Sequence, residues 1–78
     1  MAIKAYVLLI TDPGKTRSVA QALGKLASVV ERHEVLGPYD IVAHVEVPEF
    51  QDISPLLAER IRTIEGIQST TSLVTLPG

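Results

Sequence analysis

Seventy-eight residues make one small domain, spanning 1–78, and a chain this short buries only about 60% of the surface it exposes when unfolded. There is no cysteine, so disulfides, thiolate metal sites and cysteine nucleophiles are excluded, and association between copies becomes the open route to extra stability. Hydrophobic residues at 46% and charged residues at 21% exclude a disordered chain, and a net charge of −2 lacks the basic footprint that duplex nucleic acid demands.

The first strand reads as Ile3 to Ile10, apolar and branched as a buried central strand requires. Thr11-Asp12-Pro13-Gly14 punctuates it. From about Lys15 to Leu26, Val19, Ala20, Leu23, Leu26 and Ala27 recur at helical spacing, while Lys15, Arg17, Gln21 and Lys25 fall on the other side. Val29 to Leu36 reads as a second strand whose Glu31, Arg32 and Glu34 suit a sheet edge. Gly37-Pro38-Tyr39-Asp40 supplies a turn, Pro fixing one backbone angle and Gly permitting positive φ.

Asp40 to Val47 shows the clearest period of two, Ile41, Ala43, Val45 and Val47 alternating with Val42, His44 and Glu46, and Pro48 ends it. A second helix is expected with Ser54 as N-cap and Pro55 as its first residue, or a few residues earlier near Phe50. Its buried stripe is Ile53, Leu56, Leu57, Ile61 and Ile64, and Gly66 is placed to stop it with a left-handed cap. Ile67 to Leu76 closes the chain as a Thr- and Ser-rich strand.

This βαββαβ order with right-handed crossovers predicts a ferredoxin-like α+β fold: a four-stranded antiparallel sheet, order 4-1-3-2, with both helices on one face. The most apolar strands, 1 and 3, fall at its centre. The other sheet face then presents Tyr6, Leu8 and Ile10, with Val42, His44 and Val74 nearby, an apolar patch that a soluble monomer should not show to water. Packing two sheets face to face as a homodimer covers it most simply. The same patch could instead wall a ligand cavity.

Few residues point to catalysis. His33 and His44 lie on different strands without metal-ligand spacing, and the nine acids are dispersed. His44 reads as a half-exposed strand residue or an interface hydrogen-bonder, with general base or ligand contact as alternatives; His33 reads as solvated. No Gly-rich phosphate loop is present. The expectation is no catalytic residue, no metal and no cofactor. Asp40 either bonds backbone at its turn or meets a ligand ammonium. Thr70 and Ser72 share one strand face, so their hydroxyls could converge on a carboxylate or amide, although Thr is also simply a good strand residue.

The whole chain resembles the effector-binding RAM domain of the Lrp/AsnC (feast/famine) transcription regulators. The resemblance rests on Ala5-Tyr6-Val7-Leu8-Leu9, the Pro13-Gly14 turn, Gly37-Pro38-Tyr39-Asp40-Ile41, and Ile64-Glu65-Gly66-Ile67 leading into Ser69-Thr70-Thr71-Ser72-Leu73-Val74. It implies dimers built through the sheets, higher assembly, and an amino-acid effector bound between neighbouring dimers. By position, Gly37, Tyr39 and Asp40 match the hairpin lining that pocket, and Thr70, Thr71 and Ser72 the strand completing it, with Ser72 where Thr is usual. Asp40 would meet the effector's amino group. The chain begins at the first strand, without a helix-turn-helix domain, and so reads as a stand-alone cytoplasmic sensor. It would act through assembly, or by pairing with full-length regulators, rather than on DNA directly. Two other readings stay open: a small dimeric ferredoxin-like enzyme using His44 or His33 as base, and a ligand-free protein-interaction module. The first residues, Met1-Ala2-Ile3-Lys4, lack the basic opening of a signal peptide, and the longest apolar run, Ala5–Ile10, is far below the ~20 residues of a membrane helix.

Overall fold

A computed structural model describes residues 2–76; Met1, Pro77 and Gly78, the outermost residues of the expected domain, lie outside the described residues. Strands β1 (Ile3–Thr11), β2 (Val29–Glu34), β3 (Ile41–Val47) and β4 (Ile67–Val74) form one antiparallel sheet in the order β2-β3-β1-β4. This is the ferredoxin-like order read from the sequence. Its two polar strands take the edges and its two apolar strands the centre.

Alternation in the central strands decides which face is covered. Ala5, Val7 and Leu9 of β1 and Ile41, Ala43, Val45 and Val47 of β3 are buried. They pack with Val19, Ala20 and Leu23 of α1 (Thr16–Leu23) and with Ile53, Leu56 and Ile61 of α2 (residues 50–61). Such side chains each contribute about 1.5–3 kcal/mol when fully buried, which makes this layer the source of the domain's stability. Thr11 is the buried polar exception on the helix side, and its hydroxyl is satisfied by that of Thr16 at 2.7 Å.

Both helices differ from the sequence reading at their ends. α1 stops at Leu23 rather than Leu26: past Gly24 the backbone bonds tighten to Lys25 N–Ala22 O and Leu26 N–Leu23 O, and Arg32 of β2 adds a donor from Nε to the Ala20 carbonyl at 2.6 Å at this helix C-terminus. A Cβ on Gly24 would stand 2.5 Å from the Arg32 guanidinium carbon, so the missing side chain is what lets that contact form. Of the two starts read from the sequence, α2 takes the earlier, at Phe50: Asp52 Oδ2 accepts from the Glu49 amide at 3.1 Å, and this reciprocal cap outweighs Ser54-Pro55. The helix opens as a 3-10 turn (Phe50–Asp52) and closes as a wide π turn (Leu56–Ile61), in which the Arg62 amide donates to the Leu57 carbonyl at 2.8 Å. Gly66 does take a left-handed φ of +102°, but it shapes the turn into β4, five residues past the helix, and its carbonyl accepts from Asp12 N at 2.7 Å. β2 and β4 are shorter than expected, ending at Glu34 and Val74.

Candidate functional site

The open sheet face is assembled by register. Tyr6 stands opposite His44 on one side and Leu73 on the other, and Leu8 stands between Val42 and Thr71. Glu31 and His33 of β2 extend these two rows beyond His44 and Val42. Tyr6 is 43% exposed and Leu73 54%, while Leu8, Ile10 and Val42 are half-buried.

Val74 corrects the sequence reading. It pairs with Ala5, a core residue, so it faces the helices, and Leu73 takes the place assigned to it on the open face. In a Ser/Thr-rich strand no alternation of apolar with polar residues announces the face, and only pairing with β1 settles it.

His44 is the unusual residue of this face. Its ring stacks on Tyr6, with centroids 5.2 Å apart and planes at 24°. Its Nε2 is buried without a hydrogen-bond partner, and the nearest carboxylate oxygen, Glu46 Oε2, lies at 3.9 Å, beyond hydrogen-bond reach. A buried ring nitrogen left unpaired costs roughly 1–3 kcal/mol. His33 meets Glu31 at 3.3 Å in an exposed pair on the edge strand, as a solvated residue would.

The six residues matched to the family's pocket are not brought into one cleft within the chain. The hairpin closes with Val35 N donating to the Asp40 carbonyl at 2.9 Å, and Gly37 adopts φ +140°, which its missing side chain permits. Asp40 turns its carboxylate onto β1, Oδ2 accepting from the Thr11 amide at 2.9 Å while its own amide donates to the Leu9 carbonyl. The Asp40 side chain thus bonds backbone, but that of β1 and not that of its own turn. Thr70 stands on the far side of β1, opposite Leu9, and faces the helix layer with Ser72; Thr71, opposite Leu8, faces the open side. β1 therefore separates hairpin from strand by two strand spacings, roughly 10 Å.

Two residues join the strand half that the sequence did not mark as site residues, Arg62 reading as part of the solvated outward face of the second helix with Glu59 and Arg60. Arg62, just past the wide turn of α2, donates from Nε to Thr70 Oγ1 at 3.2 Å, and Gln68 Nε2 donates to Asp12 Oδ1 at 3.0 Å. Arg62, Ile67, Gln68, Ser69 and Thr70 line a cavity of about 380 Å³. A larger one of about 470 Å³ lies at the other end of the sheet, between the α1–β2 turn and α2. Among the described residues no cluster of three or more His, Asp or Glu is arranged to hold a metal ion, and no helix is long and apolar enough to cross a membrane.

A four-stranded antiparallel sheet of this order with both helices on one face and the other face open defines a ferredoxin-like α+β domain. The family model of the Lrp/AsnC ligand binding domain matches residues 4–77, and the chain belongs to that family. An HTH-type transcriptional regulator of Pyrococcus abyssi (strain GE5 / Orsay) is 35% identical over 74 residues, covering 94% of this chain and 47% of the relative. The chain thus spans about half the length of the curated relatives it matches. The structure of E. coli AsnC superposes with a TM-score of 0.91 at 26% identity, over 97% of this chain and 52% of that one. A transcriptional regulator of Neisseria meningitidis, solved as its complex with L-Met, has the same fold, with a TM-score of 0.86 at 16% identity over 96% of this chain and 50% of that one. The matched module is a regulatory ligand-binding domain, and this sets aside the enzyme reading with His44 or His33 as base.

Proposed function

We propose that this domain binds an amino-acid effector in a cleft completed by more than one copy of the chain, and that it regulates transcription through assembly, not by contacting DNA itself. What supports the proposal is the placement of the matched residues: the hairpin leads into β3 and the Thr-rich strand is β4, with β1 between them, so one copy presents them as two separate segments. The open face supports pairing of copies independently. Tyr6, Leu8, Ile10, Val42 and Leu73 form an uncovered apolar surface. Packing that face against a second sheet takes it out of water. The L-Met complex of the N. meningitidis regulator is a case of an amino acid bound by a protein of this fold.

In this reading the Thr70, Thr71 and Ser72 strand and the backbone of the Gly37–Asp40 hairpin bind the effector's polar groups. Asp40 contributes the oxygen that Thr11 leaves free, to accept from an ammonium. A net charge of −2 gives no counterion-release drive toward DNA, so a DNA-directed effect runs through a regulator that carries its own DNA-binding domain. The test is calorimetry against the twenty amino acids, combined with light scattering of the assembly. Binding by at least one amino acid with a change in assembly is expected; no heat and no change in mass with any of them overturns the proposal.

A further inference from the structure

The cavity beside β4 differs from its neighbours in charge. The larger cavity at the other end of the sheet places Arg60 among two carboxylates, Asp52 and Glu59, and a third, beside α1, holds Lys15 already paired with Glu65 at 3.5 Å. The cavity lined by Arg62, Ile67, Gln68, Ser69 and Thr70 has a cation and no acid in its lining. On a chain of net charge −2 this is a local reversal of sign.

Arg62 is also held in place for binding. Its Nε is committed to Thr70 Oγ1, which fixes the plane of the guanidinium, and its two NH2 groups have no acceptor among the described residues. Two other arginines are spent on the protein: Arg17 on Glu34 at 2.6 Å, and Arg32 on the Ala20 carbonyl. Gln68 turns its NH2 group away to Asp12, whose carboxylate is thereby occupied outside the cavity lining. What remains is a planar fork of free N–H donors beside the hydroxyls of Ser69 and Thr70. A carboxylate fits such a fork in bidentate fashion and accepts from the hydroxyls with its remaining lone pairs.

We infer that the cavity between the end of α2 and the start of β4 is a carboxylate-binding site with Arg62 as its anchoring residue. This deepens the effector reading and rests on it for the source of the ligand, since the carboxylate comes either from an amino acid or from a small dicarboxylate without an amino group. The experiment is an amide and guanidinium NMR titration of the full chain with L-glutamate, with glutarate, and with cadaverine, the last lacking any carboxylate, repeated on Arg62→Gln and Arg62→Lys. L-glutamate and glutarate should move the Arg62 Nε–H and the amides of Ser69 and Thr70, and cadaverine should not. Arg62→Gln should weaken both carboxylates by on the order of ten-fold or more, with Arg62→Lys between the two.

Carboxylates that bind wild type and Arg62→Gln equally, or that perturb the 37–40 hairpin and leave β4 unmoved, overturn the inference while leaving the effector reading intact. Glutarate bound at Arg62, with no response to L-glutamate or any other amino acid, sustains the carboxylate site and overturns the amino-acid reading. Silence from every carboxylate overturns the inference whatever the amino-acid calorimetry gives.

Discussion

Leu73→Asp tests the open face most directly. Leu73 is 54% exposed in the single chain, so roughly half of its burial energy is still to be gained on pairing, about 1–1.5 kcal/mol from the usual 1.5–3 for a whole leucine side chain. A two-fold interface counts each position twice, giving about 2–3 kcal/mol. Two introduced carboxylates must also be desolvated, at several kcal/mol each if they are buried. Pairing should therefore weaken by about 5 kcal/mol or more, beyond a thousand-fold in dissociation constant. The fold itself should lose little, because the residue is on an edge strand and half in water already. Sedimentation equilibrium at low micromolar protein reads the mass, circular dichroism confirms the fold, and Gln21→Asp on the exposed side of α1 controls for the change in charge. The wild type and Gln21→Asp should be multiples of 8.4 kDa and Leu73→Asp a monomer. A wild type that sediments as a monomer, or a Leu73→Asp that keeps the wild-type mass, refutes the reasoning about this face.

Gly66→Ala places a side chain at φ +102°, with its Cβ 2.8 Å from Lys15 Cβ and 3.2 Å from Val19 Cγ2. The left-handed backbone alone costs about 1–2 kcal/mol, so thermal unfolding should fall by roughly 10 °C; an unchanged midpoint contradicts the tight turn. Asp40→Ala removes the acceptor of the Thr11 amide and should cost about 1–2 kcal/mol, whereas Asp40→Asn keeps an oxygen there and should recover most of it. Denaturant midpoints for the pair decide the point, and equal stability of Asp40→Ala and wild type argues against the bond.

The fold was legible because its signals are periodic. Ile41 to Val47 alternates without a break and Val19, Ala20 and Leu23 repeat at helical spacing, so the covered face of the sheet follows from one-dimensional pattern. Legibility failed where the answer depends on a neighbour in space. Val74 was placed on the wrong face because β4 has too few apolar residues to show its phase, and its register shifts between Ile10 and Thr11. α1 reads too long because Leu26 keeps the helical spacing of apolar residues although the backbone has already tightened past Gly24. The start of α2 stayed open between Ser54 and Phe50 because the Asp52–Glu49 cap competes with a good Ser-Pro signal. Arg62 carried no signal at all: it sits in an ordinary charged stretch, and only the wide turn that ends the helix brings it to Thr70.

The division of the site by β1 has a thermodynamic consequence for the proposed effector. A ligand that touches the hairpin of one copy and the strand of another binds the assembled form better than the separate chains, and it must then promote assembly by the same factor. Coupling of this kind is typically worth 1–3 kcal/mol, or about 5–150-fold. Affinity for the amino acid should therefore rise with protein concentration across the range where copies associate, and Leu73→Asp should show the weak limit at every concentration. The measurement is a set of ligand isotherms at protein concentrations below and above the association midpoint. Curves that superimpose once corrected for ligand depletion mean that one copy holds the whole site. In that case the hairpin and β4 do not act on the same molecule.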